Sequence, residues 1–398
     1  MIEKNERQQD VLKLLADIDI PPYMYEKADS RYKAVANYLG QHTDLKTNMY
    51  AQGSFAFGTV VRPMKNGKDA DYDLDFICEV DKERGDITAS ELRAIIEKAL
   101  AEGKLYDGKV EYFDECITIH YAEENGVGFS IDIVPAAHES KENKDRLKKK
   151  AERPDLIDTS IAIPMGKKPM YKWHTNNPKG FQTWFEEINR PFLEMARSGH
   201  RRTLMESTDF YNTVEEIPAG MDRSAIQRVI QILKRDRDLF YKNFSDLKPI
   251  SAIINVLVAD VAIGCDANIG IFELLDLVLE ELTESARCLK DKQNGEILLE
   301  SRIVGKRNKG WYIANPANPE DNLASAWNED SRIPDKFFLW VEVARKDLIE
   351  SMEQSDGEFR AIVESAFGQD VVQKSWGDKY EAKKAAPIIG SSKPWRRE

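Results

Sequence analysis

The chain has 398 residues, 42% of them hydrophobic, enough apolar material for two cores and an ordinary globular protein. Lys+Arg 57 against Asp+Glu 69 leaves a formal charge of -12, which repels a phosphate backbone, excludes indiscriminate nucleic-acid binding and favours a small ligand. Cys78, Cys116, Cys265 and Cys288 stand far apart, with no CxxC pair and no Cys/His cluster at zinc spacing, so they read as reduced core residues. The opening MIEKNERQQDVLKLL is too charged for a signal peptide and no run approaches the ~20 apolar residues of a membrane span, so a cytoplasmic, membrane-free protein is expected.

Helical periodicity runs through NERQQDVLKLLADI and again through EKADSRYKAVANYLGQH, where Tyr32, Val35, Ala36 and Leu39 share a face. From residue 50 to 135 the pattern changes. A Gly-rich turn leads to the strand YDLDFICEV, then to a helix, TASELRAIIEKALAEG, with Thr88 or Ser90 as its cap. Two strand-like runs follow, VEYFDECITIHYA and VGFSIDIVPAA, completing a small mixed α/β unit. Beyond it the spacing predicts helices at 180–197, 222–242, 248–263, 270–287 and 336–354, a second and mainly helical lobe. The Gly-, Asn- and Pro-rich stretch 292–335 reads as a hairpin or a long connection, and residues 386–398 as a flexible tail. The expected fold class is therefore α+β, divided at 1–165, 166–385 and 386–398.

Four aspartates alternate in KNGKDADYDLDFICEV. Asp69 and Asp71 follow a turn signal and read as turn residues. Asp73 and Asp75 lie inside an apolar strand, on one face, roughly 6–7 Å apart by the rise per residue. A D-x-D also suits a solvated strand face. Asp132, however, interrupts the apolar run FSIDIV, where a carboxylate needs a partner. Three such acids repel one another and call for a counter-charge, and an all-oxygen set of this kind suits two Mg²⁺ or Mn²⁺ ions. In AQGSFAFGT, Gly53 permits close backbone approach, Ser54 offers a hydroxyl and an amide, and the following segment can open a helix whose N-terminus attracts phosphate.

The constellation GSFAFGT, DYDLD and SIDIVPA resembles the nucleotidyltransferase superfamily of DNA polymerase β type. Together with NNPKGFQTWFEE, QRVIQILKRDRDLF, KPISAII and NPANPEDNLASAW it is similar, over roughly residues 25–330, to the CD-NTases. These are bacterial relatives of cyclic GMP-AMP synthase that make cyclic oligonucleotides in antiphage (CBASS) signalling. The resemblance implies a polymerase β-like core and a helical lobe with the active site in the cleft between them. It implies that Asp73, Asp75 and Asp132 bind two metal ions and that Asp132 helps activate the attacking hydroxyl. It implies further that Gln52, Gly53 and Ser54 hold the donor phosphates, and that Lys234 and Ser251 contact the triphosphate tail. Nucleoside triphosphates, ATP among them, are the implied substrates, and regulatory or effector proteins of the same operon the implied partners. The chain departs from the animal enzyme in having no H…CC zinc ribbon, so no direct nucleic-acid activator is expected. Its KPWRRE ending lacks the small residues that some relatives present for conjugation.

Without the resemblance, Lys234 reads as a surface lysine in a charged run. Arg62 is as readily solvated as phosphate-facing, and Asn315, Asn318 and Asn322 read as turn and helix caps. Trp173, Trp184 and Trp327 could stack on a base but fit a core better, and the five histidines form no ligand pattern. Two other functions stay open: a transferase adding nucleotides to an RNA end, for which the run DRLKKKAERP would supply charge, and a non-catalytic nucleotide sensor.

Overall fold

The computed structural model describes residues 2–65, 68, 69, 72–102, 105–124, 127–207, 222–290, 304–307 and 310–381. Two long helices, α1 (Ile2–Ile18) and α2 (Pro22–His42), precede β1 (Thr47–Ala51) and the single turn α3 (Gly53–Ala56). A short hairpin of β2 (Met64–Lys65) and β3 (Lys68–Asp69) leads into β4 (Tyr72–Glu83), and α4 (Ala89–Glu102) follows. Then come β5 (Val110–Tyr112), β6 (Ile117–Glu124), β7 (Val127–His138), α5 (Lys141–Lys148), β8 (Ile161–Met165) and β9 (Lys172–Asn176). The remainder is helical: α6 (Pro178–Ser207), α7 (Ala225–Phe240), α8 (Ser251–Ala262) and α9 (Ile271–Lys290). Two hairpins, β10 (Gly305–Arg307) with β11 (Gly310–Tyr312) and β12 (Ala314–Asn315) with β13 (Asn318–Asn322), separate these from the last four helices. Those are α10 (Ser325–Glu329), α11 (Arg332–Leu348), α12 (Asp356–Phe367) and α13 (Gln369–Trp376).

Seven strands form one sheet in the order β1-β4-β7-β6-β5, with β8 paired to β7 and β9 to β8. Only β4 and β7 run parallel, joined by the crossover through α4, β5 and β6. Strand β4 obeys period two. Tyr72, Leu74, Phe76, Cys78 and Val80 are buried against α2 and α4, with Val35, Leu39, Leu92 and Ile96 in the same core. Asp73, Asp75, Ile77 and Glu79 take the opposite face. The cap of α4 is Thr88: its hydroxyl accepts the Glu91 amide at 3.2 Å while its own amide donates to the Glu91 carboxylate at 2.9 Å, the reciprocal pattern of a capping box. Ser90 instead donates to the Pro169 carbonyl at 2.9 Å.

The sheet continues past residue 165, because the exposed edge of β8 recruits the polar segment at β9. Helix α1, first in the chain, packs in the helical core, where Val11, Leu14, Leu15 and Ile18 join the cluster built from α7, α9 and α11 to α13, with α7 and α13 as neighbours. The last helices hold it there. The buried Arg7 guanidinium donates to the Met352 and Gln354 carbonyls and to Asp356, at 2.9, 2.6 and 2.7 Å. Asp10 takes Lys13 and Tyr380 at 2.7 Å each, and Lys379 as well. Of the cysteines, Cys78 is buried and Cys116 and Cys265 half-buried; all three are free thiols. The side chain of Cys288, Asp71 and the tail 386–398 lie outside the described residues. No helix among the described residues is long and apolar enough to cross a membrane.

Burial alone would raise the Asp10 carboxyl, yet the Lys13, Lys379 and Tyr380 donors outweigh it and hold it at about 2. A depressed carboxylate stabilises above its unfolded value and loses that contribution as pH falls through the folded one. Asp10→Asn is expected to cost on the order of 1–3 kcal/mol at pH 7. In thermal melts against pH, the gap to the wild type should shrink as pH drops toward about 2.

Candidate active site

The register of the parallel pair decides the geometry. Asp75 of β4 lies opposite Asp132 of β7, and Asp73 lies opposite Ser130. On the far side of β7, Thr118 of β6 lies opposite Asp132. Paired residues on neighbouring strands point to the same face, about 4.8 Å apart in the sheet, so the Asp75 and Asp132 carboxylates stand side by side. Two hydroxyls steady the outer acids. Thr118 donates to Asp132 Oδ1 at 2.5 Å, and Ser130 donates to Asp73 Oδ1. Each bond engages one oxygen and leaves the carboxylate's second oxygen for another partner.

Asp75 carries the electrostatic load. Burial first, then the Asp132 and Asp73 charges, push its carboxyl up to about 7, against the opposing pull of Lys234. Asp132 is raised by burial, with Thr118 opposing and Asp73 adding to the rise. This is the signature of a like-charge cluster partly withdrawn from water, with Asp75 and Asp132 half-buried and Asp73 exposed, and a cation among the carboxylates would relieve it. As the side chains stand, no three His, Cys, Asp or Glu groups among the described residues close on a common point at ligand distances. The donor set itself, three carboxylates on one face with oxygens to spare, fits a hard divalent cation.

The Gly-Ser turn is built onto the same strand. The Gln52 amide donates to the Asp75 carbonyl at 2.9 Å. Gly53 adopts φ +62°, and a Cβ there would stand 2.7 Å from Asp75 Oδ2. Only glycine allows both the left-handed turn and this approach. Ser54 follows within α3, and its carbonyl accepts the Thr59 amide at 3.0 Å.

Helix α7 supplies the cation from the other side. Lys234 is 6% exposed, so the surface reading of its charged run does not hold. Its Nζ donates to the Thr59 carbonyl at 2.9 Å. Burial, then the Arg237 guanidinium, bring its ammonium down to about 7, with Asp238 and Asp75 opposing. Ser251 is the first residue of α8, and its hydroxyl accepts Arg237 Nη1 at 3.1 Å. Asp73, Asp75, Asp132, Gln52 and Gly53 thus share one neighbourhood, with Lys234 facing it. Ser251 is tied to the same helix through Arg237, one turn on from Lys234.

The weaker candidates separate. Asn315, Asn318 and Asn322 accept backbone amides at 3.0–3.2 Å within the β12–β13 region, as turn formers do. Trp184 and Trp327 are core residues, while Trp173 sits half-buried on β9. Arg62 is half-buried, and its backbone bridges the Ile18 carbonyl and the Arg235 guanidinium. In the basic run, Arg146 and Lys150 pair with Glu320, Lys148 with Asp158, and Arg153 with Asp155 and Glu187. Sequence reasoning passed over Thr118 and Ser130, although each is a hydroxyl on the same alternation as the acids it serves.

Gly53→Ala should force the turn off Asp75 and cost roughly 1–2 kcal/mol from the left-handed backbone alone. Melting temperature and product yield should fall together. For Asp75, a folded value above the unfolded one means that the native state binds the proton more tightly. Stability therefore falls as pH rises between the usual carboxyl range and about 7. Asp75→Asn should flatten that decline in melts run with a chelator present, leaving the variant more stable than the wild type at pH 8.

Three comparisons bear on this site. A family model described as the Second Messenger Oligonucleotide or Dinucleotide Synthetase domain matches residues 6–189. A c-di-GMP synthase of Roseivirga ehrenbergii is 22% identical over 377 residues, 92% of this chain and 85% of its own length. The cyclic dinucleotide synthase CdnG of Bradyrhizobium diazoefficiens is 24% identical over 323 residues, 79% of this chain and 69% of its own. A structure of that CD-NTase in complex with GTP superposes with a TM-score of 0.64 at 21% identity, covering 93% of this chain and 98% of the other. With the acid-bearing parallel strands, the glycine turn and the helical lobe all in place, the chain is similar in sequence and fold to the CD-NTases, and residues 6–189 match the synthetase domain.

Proposed function

We propose that this chain joins two nucleoside triphosphates into a cyclic dinucleotide, releasing pyrophosphate, and that it serves antiphage signalling as the CD-NTases it resembles do. The carrying observation is the pairing of Asp75 with Asp132 beside the Gly53 turn, with a buried lysine opposite. GTP is the first substrate to test, since one relative is named a c-di-GMP synthase and the structure of CdnG is of its complex with GTP.

In this reading, Asp73, Asp75 and Asp132 would hold two Mg²⁺ or Mn²⁺ ions. When bound, such ions neutralise triphosphate oxygens and lower the pKa of the attacking hydroxyl. The remaining work falls to the chain. Gln52, Gly53 and Ser54 present the donor phosphates, with the backbone close because Gly53 carries no Cβ. Lys234 keeps one N–H on Thr59 and turns the others to the triphosphate, whose charge restores the ammonium that burial disfavours. Ser251, held by Arg237, contributes a hydroxyl to the same tail. The acceptor's ribose oxygen bonds to the α-phosphorus, the bond to the bridging oxygen breaks, and pyrophosphate departs. Asp132 takes the hydroxyl proton on the oxygen that Thr118 leaves available. A second transfer, with the linear intermediate reversed in the cleft, closes the ring. Holding the two reactants in line supplies most of the acceleration.

Addition to an RNA end is less well supported, because Arg146, Lys148, Lys150 and Arg153 are occupied by acids of the chain itself. Mass spectrometry of products formed from all four nucleoside triphosphates with Mg²⁺ or Mn²⁺ tests the proposal. A phosphatase-resistant product without added RNA is expected, and growth of an RNA primer alone would reject the synthase. Asp73→Asn and Asp75→Asn should each abolish product with an unchanged circular-dichroism spectrum. Retained synthesis in both would overturn the metal-site assignment.

A further inference from the structure

The segment between the glycine turn and the first hairpin, residues 57–62, crosses the interior without belonging to the sheet. Its carbonyls therefore lack strand partners, and a buried carbonyl left unpaired costs about 1–3 kcal/mol. Helix α7 provides the partners from one polar face. Gln227 Nε2 donates to the Phe57 carbonyl at 2.9 Å, Gln231 Nε2 to Val60 at 2.8 Å, Lys234 to Thr59 at 2.9 Å and Arg235 Nη1 to Arg62 at 3.3 Å. The donors are spaced i, i+4, i+7 and i+8, so they form a single stripe. The opposite face, Ile226, Val229, Ile230 and Leu233, lies in the helical core.

Both glutamines are themselves oriented. Gln227 Oε1 accepts the Ser224 amide at 3.0 Å in the capping box of α7, which turns its NH₂ toward the segment. Gln231 Oε1 accepts Arg228 at 2.9 Å, and its Nε2 also reaches Asp19 at 2.8 Å, the acid that Arg228 engages through both oxygens. The fit is close: a Cβ at Gly58, φ +63°, would stand 2.6 Å from Gln227 Nε2. At its other end the same stretch is fixed to the acids by the Gln52 amide on the Asp75 carbonyl.

We propose that Gln227 and Gln231 are positioning residues for the donor triphosphate: through the 57–62 carbonyls they fix the Gly53–Ser54 turn relative to helix α7, so that turn, acids and Lys234 keep one geometry. This rests on the synthase reading above, in which the turn carries the donor phosphates. Neither glutamine touches substrate in that reading. They act through the backbone, and an error of 1 Å at the reacting phosphorus costs on the order of a hundredfold.

Gln227→Met and Gln231→Met remove the donors at similar volume. Ser224→Ala is the control, since it breaks the other half of the capping box and leaves the Gln227–Phe57 bond in place. In the full chain, hydrogen–deuterium exchange across residues 53–60 should rise in both glutamine variants and stay at the wild-type level in Ser224→Ala. The kcat for product should fall about tenfold or more in the glutamine variants while the KM for the triphosphate changes less, as expected when alignment rather than binding is lost. Ser224→Ala should lower melting temperature at nearly wild-type kcat. Unchanged exchange in the turn, or a loss of kcat that merely tracks melting temperature across all three variants, overturns the proposal. A wild type that forms no product from any triphosphate counts against the synthase reading instead, and exchange then still decides the positioning.

Discussion

Two half-buried carboxylates placed side by side on adjacent parallel strands set the terms for everything built around them. Asp75 and Asp132 share a register position, and burial pushes both carboxyls upward. Such a pair is tolerable only where hydrogen bonds and opposite charge compensate it. The fold supplies these from three directions. Hydroxyls from β6 and β7 serve the outer acids, the backbone of β4 anchors the glycine turn, and α7 brings a lysine whose charge acts on Asp75. The apolar alternation on the reverse of β4 and β7, packed under α2 and α4, makes the strands rigid enough to hold that arrangement.

The helical lobe is more than a cover. Its central helix runs from a capping box at Ser224 into a stretch of charge, KRDRD, in which Lys234, Arg235, Asp236 and Arg237 are all buried. Each has an assigned partner. Lys234 and Arg235 donate to the 57–62 segment, Arg237 holds the start of α8 through the Pro249 carbonyl and Ser251, and Asp236 accepts the Trp340 indole N–H at 2.6 Å. Burial pushes the Asp236 carboxyl up to about 8, against the Trp340 hydrogen bond, so the interior disfavours its charged form. A polar spine of this kind is costly to desolvate, and what it returns is a fixed relation between lobe and turn.

Much of this was legible in the residues. Period two exposed β4 and β7 and put Asp73, Asp75 and Asp132 inside apolar strands, which is why the acids stood out from ordinary surface charge. Helical spacing located α7 to α9 to within a few residues, while α6 reaches further at its C-terminal end and α11 begins and ends earlier than expected, and Thr88 was one of two legible caps. The remainder depends on contacts distant in the chain. QRVIQILKRDRD has the pattern of an amphipathic helix with a solvated polar face. Its burial becomes visible only once an irregular segment some 170 residues earlier needs donors for its carbonyls. Likewise nothing in NERQQDVLKLL announces that Arg7 and Asp10 will bind residues near 352 and 380. Strand β9 has too polar a composition to be read as a strand, and exists because β8 offers an edge.

In the synthase reading, the electrostatics around Asp75 and Lys234 bear on which ligand would suit the chain. Lys234, brought down to about 7, and Asp75, brought up to about 7, are an opposed pair held in surroundings that favour the charged form of neither. A triphosphate alone would restore the lysine's charge and take up a proton, but it would worsen the repulsion at the acids. Divalent cations alone would relieve the acids and release a proton, yet bring positive charge toward the lysine. The two together compensate each other, so the metal-bound nucleotide is the species that this cleft should admit with little net change in proton binding. In that reading, a preference for a metal-complexed triphosphate over either component would come from the desolvation of Asp75 and Lys234, before any base is recognised.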